Sequence, residues 1–189
     1  MLTELQDGMM LYHASYTEIR NIDLTKCEPS KDFGKGFYLT SDYKQAEQFL
    51  KQSIKRAKIR NIVSEDWNKG IISCYKYHAS ADLNIKYFYN ADIDWLHFIV
   101  SNRKNNIFSH LLNQYSEYDI IGGKIANDIT ARTIQTYLNQ GYGEPGSDIA
   151  DRIIIELLLP DRLKDQFCFK NTKAISCMEF VEGDVYGNL

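Results

Sequence analysis

Apolar positions along this chain alternate between short runs of period two and longer stretches of helical period. Residues 9–15, "MMLYHAS", read as a strand running into a turn. Residues 32–40, "DFGKGFYLT", read as a glycine-bearing loop feeding a second strand. "SDYKQAEQFLKQSIKRAK" follows, with Ser41 and Asp42 as capping residues and Ala46, Phe49, Leu50 and Ile54 at helical spacing. Two β-rich runs, "GIISCYKYH" and "LNIKYFYN", flank the polar turn "ASAD".

The second half continues the alternation. "DIDWLHFIVSNR" predicts a helix with Trp95, Phe98 and Ile99 on one face, and "NNIFSHLLNQY" a second helix or its continuation. "YDIIGGKIAND" predicts a strand ending in glycines. Asp128 would cap "ITARTIQTYLNQG", in which Ile134, Tyr137 and Leu138 share a face and Gly141 supplies the stop. "YGEPGS" reads as a turn-rich and mobile break. "DIADRIIIELLLP" suits a helix capped by Ser147 better than a buried strand, and Pro160 ends it. "DQFCFKN" alternates as a strand, and "TKAISCMEF" reads as a short helix. Strands interleaved with helices, without a low-complexity linker, predict one α+β domain over residues 1–189.

Bulk properties narrow the function. A net charge of −3 and an isoelectric point near 5.8 argue against non-specific nucleic-acid binding. The basic run Lys51, Lys55, Arg56, Lys58 and Arg60 reads as a solvated helix face. No apolar run approaches the ~18 residues that would span a bilayer, and the start "MLTELQDGMM" lacks a basic leader. The cysteines at 27, 74, 168 and 177 have no CxxC spacing. The expectation is a cytoplasmic protein with reduced thiols, no membrane partner and no metal site. Thirteen tyrosines suit ligand-facing surfaces, but suit half-buried faces better.

The tetrapeptide "YHAS" occurs twice, at residues 12–15 and 77–80. The first copy precedes "FGKGFYLT", where glycines at 34 and 36 let a backbone approach a ligand closely. A histidine at one strand end and Tyr38 on the next strand can line one cleft.

This order resembles the NAD-binding half of the ADP-ribosyltransferase fold, in the His–Tyr–Glu branch of diphtheria toxin and the poly-ADP-ribose polymerases. Closer still, it resembles an uncharacterised bacterial family related to that branch. There, "YHAS", "DFGKGFYLT", "YDIIGGKIAND" with a following "RT", and "DQFCFKNTKA" recur in this order, from about Leu11 to about Phe180. The resemblance implies a split, mostly antiparallel sheet with surrounding helices and a cleft between its halves. It assigns the chemistry to His13 and leaves His78 as coincidence. His13 would hydrogen-bond a ribose hydroxyl, the Ala14 backbone the nicotinamide carboxamide, and Tyr38 would stack on the nicotinamide ring, with Ser15 and Gly36 lining the site. Lys35 could reach a phosphate.

NAD would then be a substrate bound in a bent pose, not a resident hydride carrier; no G-x-G-x-x-G unit is present. Loss of nicotinamide passes through an oxocarbenium-like state that wants negative charge near the ribose. The strand "DQFCF" departs from the branch, because Gln166 stands where its glutamate falls. Asp128 is the candidate substitute carboxylate, with Asn127 and Arg132 beside it; the plainer reading makes Asp128 a helix cap. Asn102 and Arg103 are weaker candidates for the same cleft. The expected activity is ADP-ribosyl transfer to an unknown acceptor, as a toxin or effector with an antitoxin partner. Alternatives are a binding module for NAD or ADP-ribose without turnover, or an interaction protein without nucleotide.

Overall fold

A computed structural model describes residues 2–104, 106–124, 128–158 and 163–188, excluding the side chains of Asp128 and Ile129. It is α+β, with two sheets rich in antiparallel pairs and helices packed around them. The strands are β1 (Met10–Ser15), β2 (Phe37–Leu39), β3 (Gly70–Tyr77), β4 (Ile85–Tyr87), β5 (Ile120–Lys124), β6 (Asp165–Phe169) and β7 (Met178–Tyr186). The helices are α1 (Tyr43–Ile59), α2 (Ile93–Arg103), α3 (His110–Gln114), α4 (Asp128–Leu138), α5 (Asp148–Leu158) and α6 (Thr172–Ile175).

One sheet runs β1-β3-β7 and the other β2-β6-β5-β4, with β4–β5 the parallel pair. The two sheets meet through an isolated antiparallel bridge. Tyr12 N–H donates to the Thr40 carbonyl at 2.8 Å, and Thr40 N–H to the Tyr12 carbonyl at 3.1 Å. Past that bridge β1 and β2 carry no further ladder pair.

Local chemistry explains most elements. Asp42 caps α1 by accepting from Gln45 N–H, Asp92 caps α2 through Trp95 N–H, and the Ser147 hydroxyl accepts from Ala150 N–H at the start of α5. The basic run of α1 lies on its solvent side, with Lys51, Lys55, Arg56 and Arg60 exposed. Helix α4 ends in a left-handed residue, but that residue is Gln140 (φ 62°), with Gly141 N–H returning to the Thr136 carbonyl. Glycine is still needed at 141, because a Cβ there would lie 2.5 Å from Thr136 Cγ2.

Two expectations change. The "YGEPGS" segment is pinned: Gly146 N–H donates to the Tyr137 hydroxyl at 2.7 Å and to Asp151 Oδ1 at 3.2 Å, and the buried Asp151 also accepts from the Tyr137 hydroxyl. The helix read over residues 172–180 stops at Ile175, and Met178–Phe180 open the nine-residue strand β7. The ladder slips between Cys74 and Tyr75, leaving Val181 as an extra residue, so the period-two signal breaks in mid-strand.

The core divides around the second sheet. One face packs Trp95, Phe98 and Ile99 of α2 against Ile121 and Cys168, with Ile134, Tyr137 and Ile154 of α4 and α5 beyond. The other face packs Phe167, Phe169 and Ile120 against Phe37, Tyr75 and Tyr77. Among the described residues no helix is long and apolar enough to cross a membrane.

Candidate functional site

Strand alternation decides what faces the gap between the sheets. The Tyr12 amide and carbonyl both point at β2, so by the two-residue repeat those of Ala14 point the same way. On β2 the Thr40 groups point at β1, and so do those of Tyr38. Ala14 and Tyr38 would pair next, but the strands have parted. The His13 imidazole reaches across instead, with Nδ1 2.8 Å from the Tyr38 carbonyl oxygen. A carbonyl only accepts, so Nδ1 carries the proton and Nε2 is left as an acceptor. Burial lowers the His13 pKa below its usual value, against an opposing pull from the Tyr38 carbonyl, and so favours this neutral form. The ring is also stacked on Phe37, with centroids 4.4 Å apart.

Phe37 and Tyr38 alternate across β2, so the Tyr38 ring leaves on the side opposite to Phe37. His13 therefore meets Tyr38 at its backbone, not ring to ring. The Tyr38 hydroxyl donates to the Gly34 carbonyl at 2.7 Å and accepts from Phe33 N–H at 3.0 Å. Burial, followed by the neighbouring Cys168, raises the Tyr38 pKa well above its usual value. The phenol is thus a fixed neutral brace under the loop at residues 32–36. Gly34 takes a left-handed φ of 82° there.

Tyr38 pairs with Cys168 across β2–β6, which puts Tyr38, Cys168 and Gln166 on one face of the sheet. Gln166 is buried, and its Nε2 donates to Asp32 Oδ2 at 3.1 Å. Asp32 is buried too, and Arg103 at the end of α2 grips its Oδ1 through Nε at 3.1 Å and Nη2 at 2.6 Å. The neighbouring Asn102 Nδ2 donates to the Asp32 carbonyl at 3.2 Å. The carboxylate beside Gln166 is therefore Asp32. Asp32 opens the segment "DFGKGFYLT", where nothing local marks it for this role, since Arg103 and Gln166 lie 71 and 134 residues away.

The other candidates scatter. Ser15 is buried at the end of β1, opposite Ile71. Gly36 permits the approach of β2 to β6, since a Cβ there would strike Cys168 Sγ and lie 2.8 Å from the Phe169 carbonyl. Lys35 is exposed beside a groove of about 280 Å³ shared with Leu24, Thr25 and Lys170. Asn127 and the Asp128 side chain lie outside the described residues; Asp128 is the first residue of α4. Arg132 is exposed on α4, and the hydrogen bonds of the His13, Tyr38 and Gln166 side chains go to other residues, Tyr38, Phe33, Gly34 and Asp32. His78 lies just past β3, beyond the end of the β1 ladder remote from Ser15, where its exposed ring meets Glu179 at 2.8 Å. A groove of about 300 Å³ opens where β2, β5 and β6 end, between Thr40, Asp42, Gln45, Lys124 and Lys164, and includes neither His13 nor Tyr38. Among the described residues no cluster of His, Cys, Asp and Glu has the makings of a metal site.

The chain belongs to the DUF3990 family, described as a protein of unknown function, whose family model matches residues 9–180. That span takes in His13, Asp32, Tyr38, Arg103 and Gln166. No curated protein and no solved structure matches the chain.

Proposed function

We propose that this member of the DUF3990 family is an NAD-dependent ADP-ribosyltransferase. The observation that carries the reading is the parting of β1 from β2 just past the Tyr12–Thr40 bridge, spanned by His13. It turns the Ala14 amide and carbonyl into the gap, where a nicotinamide carboxamide has the matching donor and acceptor. The His13 Nε2 is the acceptor for a ribose hydroxyl. Tyr38 and Gln166 share a face of the next sheet, the phenol ring as a stacking surface and the amide oxygen as a second acceptor.

In the reaction, the bond from ribose C1 to the nicotinamide nitrogen breaks with its electron pair leaving on nitrogen, which neutralises the pyridinium. A lone pair of the acceptor then bonds C1, and the acceptor's proton passes to water. NAD is consumed as substrate. The protein's share is to orient the ribose and to place acceptors around the developing positive charge. A toxin or effector role, with a neutralising protein partner, extends the same reading by analogy.

Purified protein incubated with NAD is expected to release nicotinamide. His13→Ala and Tyr38→Ala should each lower the rate by about 100-fold or more, the scale of lost substrate orientation. Growth arrest on expression should vanish in the same variants. Undiminished release in both variants removes these residues from the chemistry.

One observation favours a second reading. Gln166 brings no charge of its own, as suits a module that binds NAD or ADP-ribose without turning it over. Calorimetry showing NAD binding with no nicotinamide produced selects that reading.

A further inference from the structure

Asp32, Gln166 and Arg103 come from the loop before β2, from β6 and from the end of α2, and they converge in the interior. A carboxylate can only accept, so the amide of Gln166 must turn its NH₂ toward Asp32. That fixes the amide oxygen on the other side, and among the described residues nothing donates to it. The arrangement is an amide of one set orientation, backed by a buried negative charge that Arg103 holds from behind.

We propose that Asp32 is the positioning residue of the transfer site. It fixes Gln166 so that the amide oxygen accepts from the ribose 2′-hydroxyl, and it supplies, one hydrogen bond further back, the negative charge that residue 166 lacks. The inference rests on the transferase reading above. It also explains why glutamine, and not glutamate, suits position 166. A carboxylate there would stand directly against the Asp32 carboxylate, and two carboxylates that close share a proton.

The test is an exchange of the two groups. In Asp32→Asn with Gln166→Glu, the asparagine NH₂ would donate to the glutamate, while its oxygen would accept from Arg103. The pair keeps one carboxylate, one amide and nearly the same volume. Nicotinamide release from NAD is measured for the wild type, each single variant and the exchanged double variant, with kcat and KM separated. Asp32→Asn should lower kcat at least tenfold and leave KM within about threefold. Gln166→Glu should also lower kcat, and its pH–rate profile should gain an ionisation that the wild type lacks. The exchanged variant should exceed both single variants in kcat by at least tenfold, a rescue that a merely structural contact does not give. Should Asp32→Asn not fold, the comparison of Gln166→Glu with the exchanged variant carries the result alone.

Wild-type turnover with kcat unmoved in Asp32→Asn overturns this inference and leaves the transferase reading standing. So does an exchanged variant no better than Gln166→Glu. Absence of turnover in the wild type overturns both.

Discussion

His13 spans the gap between the sheets to the Tyr38 carbonyl, and its protonation state is set by where it sits. Burial holds its pKa below the unfolded value of about 6.5. Folding therefore favours the neutral ring. The associated stability is complete above about pH 6.5 and is lost as pH falls through the folded-state pKa, because the unfolded chain takes up the proton first. Urea midpoints measured from pH 8 to pH 5 should fall below about pH 6.5 in the wild type, and His13→Gln should lack that component. A parallel decline in both proteins would assign the acid sensitivity to other groups. Turnover should fail on the same acid side, since a protonated Nε2 no longer accepts from a ribose hydroxyl.

At the scale of elements, the helices and strands follow from short-range chemistry, and that part was legible. Asp42 stands alone before seventeen helical residues, and its carboxylate satisfies an otherwise unpaired amide, that of Gln45. Asp42→Ala should cost about 1 kcal/mol in chemical denaturation, the usual worth of such a cap. The exposed Lys164 contact at 3.0 Å adds little to that. A loss within 0.3 kcal/mol of zero would show that α1 is held by packing alone. Strand β7 was not legible because the bulge at Val181 interrupts the alternation that marks a strand. The break at 142–147 looked loose because four of its six residues, Gly143, Pro145, Gly146 and Ser147, are turn formers; the buried Asp151 that ties it down sits in the following helix.

At the scale of the whole molecule, the resemblance in the sequence gathers His13, Tyr38 and Gln166 at one site. In the structure β2 bridges β1 and pairs with β6, but the Tyr38 ring and Gln166 lie on the face of the sheet opposite to Phe37, the ring that His13 stacks on. What the chain could not disclose is the partner of Gln166. A contact across 134 residues leaves no periodicity and no spacing, and Asp32 in a glycine-rich loop looks like ordinary turn chemistry. Asp128, the substitute carboxylate that the sequence did suggest, has a side chain outside the described residues, so the carboxylate known to stand beside Gln166 is Asp32. The two sheets are joined by few backbone bonds. The Tyr12 and Thr40 amides should therefore exchange hydrogen faster than the amides of Ile121 and Phe167 in the middle of the second sheet. Addition of NAD should slow the first pair selectively, and equal protection of both pairs without ligand would mean that the halves open only with global unfolding.

Gly123 faces Gln166 across β5–β6, and a Cβ on it would stand 2.8 Å from Phe33 Cζ and 3.2 Å from Phe88 Cβ. The missing methyl is the seat into which Phe33 sinks, and Phe33 is bonded directly to Asp32. The reach of that carboxylate is thus gauged from the floor of the sheet: an alanine at 123 would lift the whole loop and withdraw the charge from its neighbour without touching either polar group.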